Sequence, residues 1–207
     1  MARRALADVA AGILVFTTAL FVFLEPVSEV VASASVAPAQ GSVSCSITSG
    51  TLKFTPSSAP GTVGVVIKAN AYPPSPCAGT SKLSDGTSVS ISGASLNGQG
   101  TATASATAAN ACDLGTITVD LKWKSTPKIS PTTLTYEGGT WLSSEPPQLP
   151  ASGGNLESVT GSFGGSLSAV IKPILKSAWP PNPCAGTRPV TLSTSGGALS
   201  IGGSASS

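Results

Sequence analysis

One phrase occurs twice in this chain. Residues 72–80 read Tyr-Pro-Pro-Ser-Pro-Cys-Ala-Gly-Thr, and residues 179–187 read Trp-Pro-Pro-Asn-Pro-Cys-Ala-Gly-Thr. A match of nine residues with two conservative swaps does not follow from composition, even with 17 prolines. Other blocks match in the same order. Gly61-Thr62-Val63-Gly64 and Val66-Ile67-Lys68 precede the first phrase, and Gly161-Ser162-Phe163-Gly164 and Val170-Ile171-Lys172 precede the second. Cys45 precedes Gly50-Thr51-Leu52-Lys53-Phe54, and Cys112 precedes Gly115-Thr116-Ile117-Thr118-Val119. Internal repetition constrains architecture more than any single motif, because each unit is one supersecondary element. The expectation is two related units, 43–111 and 112–207, the second with an insertion at about 124–160.

The periodicity is that of strands. Ile117, Val119, Leu121 and Trp123 fall on one face of Thr116–Lys124, and Thr116, Thr118, Asp120, Lys122 and Lys124 on the other. Val89 and Ile91 alternate with serines, and Leu52 and Phe54 flank Lys53. Parity breaks at Gly50 and Gly115, where a bulge or bend re-aims a strand. Thr101–Thr107 alternates Thr or Ser with Ala, so its inward face packs closely on a bulky neighbour or lies at an edge. Pro and Gly interrupt every stretch that could carry a helical stripe after the N-terminal region. The expected fold is all-β, an antiparallel sandwich or partly closed barrel in which both units share one core. Two tandem immunoglobulin-like domains are the alternative. A body of about 165 residues buries roughly 70% of its unfolded surface, enough for one core.

The four cysteines form an even set, which points to disulfides in an oxidising compartment. A strand from Cys45 to Phe54, a reversal near Pro56–Gly61 and a return along Val63–Tyr72 bring Cys77 back towards Cys45. Repetition then pairs Cys112 with Cys184. Cross-unit pairing, Cys45 with Cys112 and Cys77 with Cys184, also respects the repeat. Zinc is a poor fit, since no cysteine pair has ligand spacing and the chain has no histidine.

Residues 1–39 read as a signal peptide. Arg3 and Arg4 precede an uncharged apolar run from Ala10 to Leu24, and Ala32-Ser33-Ala34 and Ala37-Pro38-Ala39 both fit a small-residue cleavage pattern. Cleavage is expected after Ala34 or Ala39, with no stable membrane span left; fifteen residues fall short of the roughly 20 a span needs. An uncleaved anchor is the alternative. Residues 1–39 hold two Arg, one Asp and two Glu, so the remainder carries nine Lys and Arg against six Asp and Glu, a net +3. These charges are scattered singly along the chain, which gives no basic stripe for nucleic acid.

Chemistry is bounded from the other side. Without histidine, Ser-His-Asp and Cys-His catalysis are excluded. Ser125-Thr126-Pro127-Lys128 has the S-x-x-K spacing, but that pattern needs a helix and Pro127 follows a strand. Leu149-Pro150-Ala151-Ser152-Gly153 is similar to a sorting signal, yet 54 residues follow it without an apolar span. No carboxylate spacing singles out a catalytic pair. No cofactor, metal site or catalytic residue is expected, and the chain reads as a non-enzyme.

Binding is the better expectation. Residues 140–154 read as a long loop within the insertion, and such loops often carry function. Trp141 and Tyr136 in the insertion, and Trp179 in the second phrase, are the candidate ligand contacts. The phrases themselves read as extended polyproline segments in which Tyr72 and Trp179 cap the core beside each disulfide.

Cys45 with Gly50-Thr51-Leu52-Lys53-Phe54, Cys112 with Gly115-Thr116-Ile117-Thr118-Val119-Asp120-Leu121-Lys122-Trp123, and Ser162-Phe163-Gly164-Gly165 before the last cysteine resemble an uncharacterised group of secreted actinobacterial proteins. Its members are short, Gly/Ser/Thr-rich β proteins with four cysteines. The resemblance covers most of residues 43–200 and implies an extracellular compartment and an all-β fold; it carries over no catalytic residue. The functional expectation is a secreted or cell-envelope-associated structural or binding module, with cell-wall glycan or an envelope protein as partner. The alternatives are a self-associating extracellular matrix protein and an enzyme of unfamiliar type.

Overall fold

Alternating burial repeats along every long segment of the chain. In the computed structural model, which describes residues 36–72, 77–185 and 187–204, that alternation becomes eleven strands and no helix. They are β1 (Ala39–Ser46), β2 (Ser49–Pro56), β3 (Thr62–Ala71), β4 (Ala78–Leu83), β5 (Ser88–Ala104), β6 (Cys112–Thr126), β7 (Thr132–Glu137), β8 (Thr140–Trp141), β9 (Asn155–Gly161), β10 (Ser166–Leu175) and β11 (Val190–Ser204). The signal region up to Ser35, with the first of its proposed cleavage patterns, Pro73–Pro76 of the first phrase and Gly186 of the second lie outside the described residues, whereas the second pattern, Ala37-Pro38-Ala39, lies within them.

All pairings are antiparallel, and six strands return on themselves in the order β3-β2-β11-β1-β4-β5, closed by β3 against β5. Closure is partial. β4 meets β5 through only Ser81–Val89 and Lys82–Ser88. Outside the ring, β6 lies on β5, β7 on β6 and β9 on β7, while β10 flanks β11 and β8 covers the start of β6.

This order overturns the tandem immunoglobulin-like alternative. β11, from the C-terminal end, sits between β1 and β2, from the N-terminal end. Residues from Ala39 to Ile201 belong to one hydrophobic cluster. Separating the halves would strip β1 and β2 of a shared neighbour.

The parity breaks have physical causes. The first lies at Ile47–Thr48, where the chain leaves β1 and enters β2; Ile47 N–H bonds Gly197 O and Thr48 N–H bonds Asn70 O. Cys45 therefore ends β1 rather than opening the strand to Phe54. The second is a bulge, since Gly100 faces Ile117 while Ala102 faces Leu114, leaving Gly115 and Thr116 opposite Thr101 alone. Ala102 is buried between β3 and β6, as its methyl-only face demands.

Two disulfides close the fold, Cys45–Cys77 and Cys112–Cys184. The first joins β1 to the residue before β4, one step beyond the Ser44–Ala78 pair, with Cα atoms 4.1 Å apart. Cross-unit pairing is excluded. Both bridges suit an oxidising environment. Among the described residues no helix is long and apolar enough to cross a membrane.

The insertion is not a dispensable loop. It supplies the end of β6, β7, β8 and most of β9, and its turn 142–154 is tied back by Leu149, which exchanges backbone bonds with Ile171 of β10. Leu149 and Ala151 are buried, so the resemblance to a sorting signal has no accessible backbone behind it. Ser125 lies within β6, so no helix brings Lys128 beside it.

The second phrase turns rather than running on as polyproline: Asn182 has φ 46°, and Ala185 N–H bonds back to Asn182 O.

Candidate functional site

The three aromatic residues singled out in the sequence divide. Trp141 is 3% exposed; its Nε1–H donates to Gln148 O at 2.6 Å, and its ring stands edge-on to Phe54 and Trp179, each with centroids 6.2 Å apart. Tyr136 is 1% exposed and donates its hydroxyl to Ala169 O at 3.1 Å. Burial pushes its phenol well above the ordinary range. Both are core residues, which corrects the expectation that they contact ligand: β8 and β7 turn them inward, where their apolar area is worth most. Trp179 is half-buried. Its Nε1–H holds Asn110 O at 2.8 Å, its ring meets Phe54 at 5.8 Å, and its rim borders a shallow depression of about 240 Å³ beside Glu145 and Ile174. It caps the core as expected of it.

Tyr72 does the opposite. It is 40% exposed and forms a wall of a groove. A bulge at Ser92 and the absence of a side chain at Gly93 make room for it; a Cβ on Gly93 would stand 2.5 Å from Ala71 O and 2.9 Å from the Tyr72 ring.

The groove runs over the outer face of β3, β5 and β6. One part, about 480 Å³, is lined by Lys68, Asn70, Ser95, Asn97, Asp120 and Lys122. A second part, about 400 Å³, shares Ser95 and Lys122 and continues past Tyr72, Trp123, Lys124 and Lys128 to Val36. Strand register explains the assembly. Lys68 pairs with Asn97, and Asn97 with Asp120, so three outward side chains form a row across the strands. Asn70, Ser95 and Lys122 form the next row. With strands about 4.8 Å apart, Lys68 and Asp120 stand about 10 Å apart, the span of one or two sugar rings.

Four lysines face this groove against one carboxylate. That carboxylate is occupied: Asp120 accepts a bond from Thr133 Oγ1 at 2.8 Å. Trp123 is fixed from behind, its Nε1–H donating to Thr132 Oγ1 at 2.8 Å and its ring packed on Phe163 at 5.2 Å. The groove thus combines cations, amides and hydroxyls with two aromatic rings, one of them immobilised. Such a set can hold acidic groups and stack on a ring.

Sequence reasoning passed over these residues because Lys68 and Lys128 lie 60 positions apart. The available signal was the outward parity of Asp120, Lys122 and Lys124 on β6. Among the described residues, no three His, Cys, Asp or Glu side chains gather as a metal site.

No protein-family model matches the chain, and no curated protein or solved structure matches it.

Proposed function

We propose that this chain is a secreted or cell-envelope-associated binding module that holds an anionic polysaccharide of the envelope in the lysine–aromatic groove. The observation that carries the reading is the convergence of Lys68, Lys122, Lys124 and Lys128 with Tyr72 and Trp123. Clustered cations of one sign raise the local concentration of an acidic polymer. Asn70, Asn97 and Ser95 offer bonds to hydroxyls, and the exposed Tyr72 ring, with the half-buried Trp123 at its side, offers apolar area to sugar rings. Two disulfides, the signal-like N-terminal sequence and the resemblance to secreted β proteins point to the same compartment.

The test is titration of the purified protein with polygalacturonate and with a neutral glucan, over a salt series. Binding to the acidic polymer should weaken as salt rises. Lys122→Gln with Lys124→Gln should weaken it at least about tenfold, or roughly 1.4 kcal/mol, without lowering the melting temperature. Equal binding of both polymers, or no effect of the double substitution, refutes the reading.

A further inference from the structure

The sequence offers two cleavage patterns, ending at Ala34 and Ala39, and the folded body treats their surroundings differently. Ala39 is 0% exposed and is the first residue of β1, paired with Leu83 of β4. Its N–H donates to Ser162 Oγ at 3.1 Å, and its carbonyl accepts the N–H of Phe163. Two residues earlier, Ala37 O accepts the N–H of Ser130 at 3.1 Å. Ser130 and Ser162 hydroxyls lie 3.1 Å apart, and Thr132 Oγ1 donates to Ser162 O at 2.6 Å. Residues 37–39 are therefore clamped by a polar network whose centre, Ser162, is fully buried.

The clamp is a built feature. Phe163 has φ 62° although it is bulky, a conformation that persists only when its surroundings over-determine it. Gly161 before it has φ 77°, and a Cβ there would stand 2.0 Å from Pro131 O. Both distortions aim Ser162 and the Phe163 N–H at Ala39. A chain beginning at Gln40 would take from that N–H its Ala39 acceptor and leave the Ser162 hydroxyl only Ser130, a loss of bonds from groups that are buried when Ala39 is in place. It would also set a new ammonium group opposite Lys82, which pairs with Gln40. And it would remove Val36 from the groove.

We infer that the leader is cut between Ala34 and Ser35, so that residues 35–39 stay with the mature chain and residues 37–39 fill this clamp. Hydrolysis there consumes one water and leaves a carboxyl on Ala34 and an amine on Ser35; the catalyst is the signal peptidase of the exporting cell. The inference rests on the secreted reading above, but not on the groove or its ligand.

The experiment expresses the full chain in a secreting host and determines the N-terminus of the exported protein by sequencing and intact mass. Ser35 is the expected first residue, in the natural chain and in Ala37→Leu, which spoils only the later pattern. Ala34→Leu should abolish the Ser35 start, because a bulky residue does not fit the position before the cut. A start at Gln40, a retained leader, or a start displaced by Ala37→Leu overturns the inference. Polymer binding by the same preparations reports on the groove separately, since Lys122 and Lys124 are present whichever bond is cut.

Discussion

Trp141→Ala tests whether the insertion belongs to the core or to a binding surface. The indole is 3% exposed, wedged between Phe54 and Trp179 and anchored to Gln148 O. Truncating a buried aromatic to Ala costs about 3–5 kcal/mol, through lost transfer energy and the cavity left behind. Two edge-to-face contacts, each worth about 0.5–1.5 kcal/mol beyond burial, place this site in the upper part of that range. For a body of this size each kcal/mol lowers the melting temperature by about 2–4 °C, so a loss of about 4–5 kcal/mol should lower it by roughly 8–20 °C. Thermal melts followed by near-ultraviolet circular dichroism, under oxidising conditions, measure it. Trp141→Phe keeps most of the ring packing but forfeits the bond to Gln148, and should lose only ~1–2 kcal/mol. Binding to the acidic polymer well below the melting point should be unchanged in both variants, because Trp141 does not line the groove. A melting shift under about 2 °C for Trp141→Ala, far below the range set by burial, would refute the packing argument. If binding fell at the same time, Trp141 would be restored as a surface contact.

Gly161→Ala should destabilise the fold by at least ~2 kcal/mol, measured by urea titration, because a Cβ would meet the Pro131 carbonyl at 2.0 Å and φ is 77°; a change within about 0.5 kcal/mol contradicts the clamp geometry. Removing Cys112–Cys184 by paired Ser substitutions should lower stability by about 4.4 kcal/mol and removing Cys45–Cys77 by about 3.7 kcal/mol, since the bridges span 72 and 32 residues and the loss grows with the logarithm of the loop. The reverse order in denaturant titrations would mean that native packing, not chain entropy, sets their contributions.

What could be read from the sequence was whatever depends on neighbours along the chain. Alternation assigned Ile117, Val119 and Leu121 to an inward face, and all three are 0% exposed. The bulge at Gly115 followed from the parity break there. Cys45–Cys77 followed from the reversal between β2 and β3, although the cysteines flank that hairpin and are joined by the pairing of β1 with β4. Alternation says which face a residue takes; it does not say which strand lies beside it. The position of β11 between β1 and β2 depends on pairing across more than 130 residues, for which the chain carries no local mark.

The groove shows the same limit from the functional side. Lys122 and Lys124 were legible as outward residues, but an outward lysine on an isolated strand is only a solvated charge. Its meaning changes when register sets Lys68 two strands away in the adjoining row and Tyr72 over Gly93. Trp141 went wrong for the complementary reason. An aromatic in a Pro-rich insertion reads as exposed when the insertion is supposed to hang from a complete barrel. Here the 142–154 turn folds back onto the body, with Leu149 bonded to Ile171 of β10 and Trp141 set against Phe54 of β2, so the same ring becomes core. Ser162 and Phe163 carry the point furthest. They entered as landmarks of a repeat, yet both bond Ala39, 123 residues before Ser162. A motif whose bonds reach a distant strand reports on tertiary structure, and its partner can be found only once the strands are in place.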